Sequence, residues 1–149
     1  MANNYEFWTH GVATILESPE LARLVLHRGF GTLVEQEANT EAWFHIPIPS
    51  PTIFGDHDRV YLERVGLRAK MNENARVNVI HVRIGQDLAF ARNVSFTDRS
   101  IAETFNLGRG PRVSGAGVTM CVHVQFLTGP PRGQIEFHGA GGNFFYVTW

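Results

Sequence analysis

Residues Val118–Phe126 read VTMCVHVQF, with Val118, Met120, Val122, Val124 and Phe126 on one face and Thr119, Cys121, His123 and Gln125 on the other. An apolar period of two fits a strand with one dry and one polar face, and no helix can present it as a stripe. The same period recurs along the chain. Further strand candidates lie at 11–17, 23–28, 31–37, 41–48, 88–96, 102–107, 133–138 and 143–148. Clusters of turn chemistry separate them: ESPE, HRGFG, EANTE, FGDHDR, MNENA, TGPPRG and GAGGN. Only SPELARL offers a helix start, with Ser18 as N-cap and Pro19 at the first position.

Two stretches carry finer information. Residues 76–84, RVNVIHVRI, are apolar on both faces, with Val77 and Val79 on one and Ile80, Val82 and Ile84 on the other. That suits a central strand or one covered by a partner. In residues 59–69 the apolar phase shifts, from Val60 and Leu62 to Val65, Leu67 and Ala69. One extra residue near Glu63–Arg64, a β-bulge, brings both sets to one face.

The segment WFHIPIPSP, residues 43–51, places prolines at 47, 49 and 51. Alternate N–H groups of a strand point to the same edge, so these prolines strip one edge of donors. The strand therefore borders a sheet or leaves it at Pro47. Phe44, Ile46 and Ile48 take the core face, and Trp43 and His45 the other.

Short strands without crossover helices predict an all-β fold: a single antiparallel β-sandwich, jelly-roll or Ig-like, of about eight to ten strands over residues 1–149. With 44% apolar and 18% charged residues the chain can bury a real core. The net charge of −1 selects neither nucleic acid nor an anionic membrane. The single cysteine, Cys121, excludes an intrachain disulfide. The start MANNYEFWTHG has no signal-peptide pattern, and no apolar run reaches the ~18 residues of a membrane helix. The expected setting is the cytoplasm, or release without a signal peptide.

The order Trp43-x-His45-x-Pro47-x-Pro49-x-Pro51, a strand ending at Gly85, a strand over 117–126, and Glu136-Phe137-x-Gly139-Ala140-Gly141 resembles a large group of small bacterial β-sandwich proteins and domains. The resemblance covers residues 41–141. It implies a fold and a bacterial setting, and carries over no catalytic residues.

Candidate chemistry is sparse. His81 and His123 lie on different strands, but no CxxC or HxxxH spacing supports zinc, so no metal or cofactor is expected. Asp56, His57 and Asp58 share one turn; two carboxylates can help hold calcium, yet no DxDxDG pattern supplies the remaining oxygens. Cys121 and His123 stand on one strand face ~6–7 Å apart, without a third orienting group. GAGGNF lacks the GxGxxG spacing and reads as a tight turn or a site of close backbone approach.

Aromatic residues carry the binding expectations. Saccharide sites use an aromatic platform beside polar groups. Trp43 heads the candidates, with His45 beside it and the Asp56, His57, Asp58 turn; Trp8, Tyr61 and Trp149 follow. Aromatic residues at both termini, with the two-faced strand, predict a homo-oligomer built on Trp8, Val77, Val79, Phe144, Phe145, Tyr146 and Trp149. The expectation is a non-enzymatic, self-associating binding or structural module. A lectin-like glycan binder is the alternative, and an enzyme using Cys121 and His123 the third reading.

Overall fold

The computed structural model describes residues 2–51, 59–97, 99–108, 110–113 and 117–147. Asp56, His57, Asp58 and Trp149 lie outside them. The described residues form twelve strands: β1 (Ala2–His10), β2 (Ile15–Leu16), β3 (Ala22–Arg28), β4 (Gly31–Gln36), β5 (Thr40–Ile48), β6 (Val60–Met71), β7 (Ala75–Ile84), β8 (Asp87–Phe96), β9 (Ser100–Asn106), β10 (Arg112–Val113), β11 (Val118–Phe126) and β12 (Gln134–Val147). All pair antiparallel, in two sheets. The fold is the all-β sandwich expected from the alternation.

One sheet runs β2-β5-β11-β7-β8. The other is built on β12. One edge of β12 pairs β6, which pairs β9 and β10 in turn; its other edge pairs β1 over residues 139–147 and β4 over 134–137, with β3 beyond β4.

The core lies between the sheets. Val118, Met120, Val122, Val124 and Phe126 of β11 are all buried, as their alternation requires. Opposite them lie Val60, Leu62, Val65, Leu67 and Ala69 of β6 with Ile135, Phe137 and Phe144 of β12. Each such Val, Leu or Phe contributes about 1.5–3 kcal/mol by leaving water. The bulge sits where the phase shift put it: Asn143 pairs Arg64 and Phe144 pairs Leu62, leaving Glu63 as the extra residue.

The proline edge is equally plain. On that side, among the described residues, β5 pairs only with Ile15 and Leu16, opposite His45 and Phe44, and the Glu17 N–H donates to the Trp43 carbonyl at 3.1 Å. The described pairing stops before Pro47. The other edge continues along β11 as far as Ile48, opposite Val118.

Four expectations change. Residues 11–17 are not one strand. Gly11–Ala13 form a 3₁₀ turn, in which the Gly11 carbonyl accepts from the Thr14 backbone N–H (3.1 Å), the Thr14 hydroxyl (2.7 Å) and the Thr32 hydroxyl (2.8 Å). SPELARL yields only a 3₁₀ turn, Pro19–Leu21, because Ala22 is already committed to the β3–β4 ladder. GAGGN is no turn but lies inside β12, and the glycines serve close approach instead. The Trp8 ring lies on the sheet surface over Gly141 and Gly66. A Cβ at Gly66 would come within 2.8 Å of that ring, and one at Gly141 closer still. Finally, the N-terminal aromatic segment is a strand of its own, and Phe7 packs on Phe144 at 6.0 Å between centroids.

Candidate functional site

The outer face of the five-stranded sheet holds the side chains that alternate with the core set. Register fixes their neighbours. Cys121 of β11 stands between His45 of β5 and His81 of β7; one row along, His123 stands between Trp43 and Val79. The Trp43 ring lies 4.7 Å from the His81 ring and 5.0 Å from the His123 ring. Two carboxylates approach this group: Glu17 Oε1 is 3.5 Å from His45 Nε2, and Glu41 Oε2 is 3.8 Å from His123 Nε2. Glu17, Trp43, His45, His81, Arg83 and Cys121 line an open pocket of about 230 Å³.

The electrostatics set what this pocket can do. Burial first, then the Arg83 guanidinium and His123, hold the His81 pKa below its ordinary value of 6.5. Burial pushes the Cys121 thiol up from 9.0; Glu17 adds to the rise and Arg83 opposes it. Nucleophilic thiol catalysis needs the reverse, a lowered thiol beside a raised imidazole. Cys121 is also only 3% exposed. It is therefore expected to react slowly with a disulfide reagent at neutral pH in the folded protein, and to titrate at once in denaturant. Rapid native-state labelling, read by absorbance, would show an activated thiol instead.

Among the described residues, no three His, Cys, Asp or Glu side chains are grouped to hold a metal ion. His81 and His123 both lie against the Trp43 ring.

The residues expected at an oligomer contact divide. Val77 and Phe144 are fully buried in the chain's own core, so neither is available to a partner. The two-faced reading of β7 has a simpler cause: a bulge at Asn78 turns Val77 to the core face with Ile80, Val82 and Ile84 and leaves Val79 outside, while Phe144 faces the core from β12. Val79 is half-buried on the outer face beside His123. Phe145 stacks on Tyr61 at 5.4 Å and Tyr146 on Tyr5 at 6.1 Å. Trp8 remains 40% exposed; its indole N–H donates to Glu6, and Arg68 lies 5.2 Å from the ring centre.

Trp43 and His45 thus belong to one pocket. Sequence reasoning missed Glu17 and Arg83. Arg83 was accessible through alternation, which puts it on the face of His81. Glu17 had no such signal, since it follows a two-residue strand defined by its pairing alone.

No family model and no curated protein matches the chain. Solved structures do. The CBM35 structure from Paenibacillus barcinonensis aligns at TM-score 0.48 and 14% identity, over 99% of each chain. A CBM4 structure aligns at 0.48 and 10% identity, over 89% of this chain and 81% of the other. A family two carbohydrate esterase from Cellvibrio japonicus aligns at 0.41 and 9% identity; it covers 99% of this chain, which spans only 36% of the esterase.

Proposed function

We propose that this protein is a non-enzymatic binding module, and that the pocket around Trp43 takes a saccharide. The observation that carries the reading is the composition of that pocket: one indole, held by two histidines, with a carboxylate, imidazoles and a guanidinium around it. A sugar ring presents an apolar face that stacks on an indole and hydroxyls that both donate and accept hydrogen bonds. The sheet supplies a rigid backing for these groups. The Cys121 thiol, which burial keeps protonated, does not act as a nucleophile in this role.

The test is a glycan array followed by calorimetric titration of the best ligand against wild type and Trp43→Ala. The substitution is expected to weaken binding at least ~10-fold, the scale of one lost aromatic platform. Circular dichroism should be unchanged. Undiminished binding by the alanine variant, or an array without hits, would remove the reading.

Self-association is the second reading. It rests on Trp8, 40% exposed on the outer face of strand β1, which belongs to the other sheet. An oligomer formed there leaves the Trp43 face open.

A further inference from the structure

Charge is unevenly distributed in the Trp43 pocket. His45 has Glu17 at 3.5 Å and His123 has Glu41 at 3.8 Å, whereas His81 has no carboxylate beside it among the described residues. Its charged neighbour is Arg83, two residues along the same strand and lining the same pocket. Arg83 makes no ion pair among the described residues. It donates from Nη1 to the Gln86 carbonyl at 3.0 Å, which leaves the rest of its fork free. One half of the pocket is thus balanced and the other half cationic and unmatched.

We propose, on the saccharide reading above, that the ligand carries a carboxylate, and that Arg83 and His81 receive it while Trp43 supports the sugar ring. A guanidinium binds a carboxylate through paired, charge-assisted hydrogen bonds, so Arg83 suits an acidic sugar better than a neutral one. The acidic unit sits beside Arg83 on β7, across β11 and β5 from Glu17 and several rows along the sheet from Glu41.

The arrangement couples binding to a proton. His81 faces Arg83 on its own strand, Cys121 and His123 on β11, and His45 on β5, with Glu17 and Glu41 further out; on β8 its opposite number is the uncharged Ala91. Arg92 of β8 is turned to the other side, over Phe90 and Phe105. An arriving carboxylate offsets Arg83 and favours the imidazolium. The pKa of His81 then rises on binding, and a proton is taken up. Affinity is full below the pKa of His81 in the free protein and is lost as pH climbs from there through the raised value of the complex. The ligand carboxylate itself stays ionised above about pH 4.

The experiment uses trigalacturonate and its carboxyl-reduced neutral counterpart as titration probes, beside an array holding acidic and neutral glycans. Should the array select another acidic glycan, that glycan and its neutral form replace the probes. Wild type, Arg83→Gln and His81→Asn are compared between about pH 5.5 and 8. Arg83 is exposed, so the glutamine variant retains the fold, which circular dichroism checks. Preference for the acidic form is expected, with a loss of roughly 10-fold in Arg83→Gln. The neutral form should lose clearly less than the acidic form from that change, and the pH dependence should vanish in His81→Asn. Neutral glycans bound as well as acidic ones, with Arg83→Gln indifferent, would overturn the proposal and leave the saccharide reading standing. An array with no hit of either kind would overturn both.

Discussion

Replacing Phe44 by alanine is expected to cost about 3–5 kcal/mol of stability, the upper range for truncating a buried aromatic. Phe44 is 1% exposed and lies on the inner face of β5. Its ring is 6.3 Å from Phe126 on the adjacent strand β11 of the same sheet, and 5.1 Å from Phe137 of the facing sheet. The ring therefore joins the two sheets. Its loss leaves a hole walled by large, fully buried side chains that are already packed, so collapse is limited. Total stabilities of ~5–15 kcal/mol make this a large fraction. Urea unfolding followed by fluorescence measures it. A change under about 1 kcal/mol would mean that the ring is not part of the contact between the sheets.

Gly31→Ala should be comparably severe for a different reason. Gly31 opens β4 at φ +138°, where side chains are rarely tolerated. A Cβ there would also come within 3.0 Å of the Phe137 carbonyl carbon and nearer still to its oxygen. Backbone cannot swing away as a flexible side chain can, so the β4–β12 ladder must part at that point. Strained backbone alone costs about 1–3 kcal/mol, and the clash adds to it. Gly29 is the control: nothing lies within 4 Å of its Cβ position. Gly29→Ala is expected to leave the thermal midpoint within a degree or two, the span of an ordinary surface change. Equal effects at the two positions would refute the steric account.

Alternation with a period of two made much of this architecture legible. It placed the β11 core face, and its phase shift located the bulged residue at Glu63. Proline spacing marked the side of β5 on which pairing stops. Those signals are local. What escaped was set by distant partners. Residues 11–17 have strand composition, yet the Gly11 carbonyl is tied to Thr14 and Thr32 in a turn. GAGGN has turn composition, yet it extends through the sheet because an indole from β1 needs the bare backbone. The aromatic N-terminus gave no sign of being a strand because the strand it pairs with, β12, lies more than a hundred residues away. For the pocket, alternation turned Trp43 and His45 outward. It could not align His81 with Cys121, because register across non-consecutive strands follows from the whole pairing pattern.

Strand β12 has a consequence for how the chain is made. It is the last of the twelve strands to leave the ribosome, and it pairs β1, β4 and β6 together. Before it emerges, every member of the five-stranded sheet has been synthesised, while the sheet that should cover it still lacks its middle. The apolar side of β5, β7 and β11 then has nothing to pack against. At synthesis rates of ~5–20 residues per second that exposure lasts on the order of seconds, long enough for aggregation or capture by a chaperone to compete with closure. The nascent chain is most vulnerable just before completion of β12, and a pause in translation upstream of Gln134 would prolong the hazard.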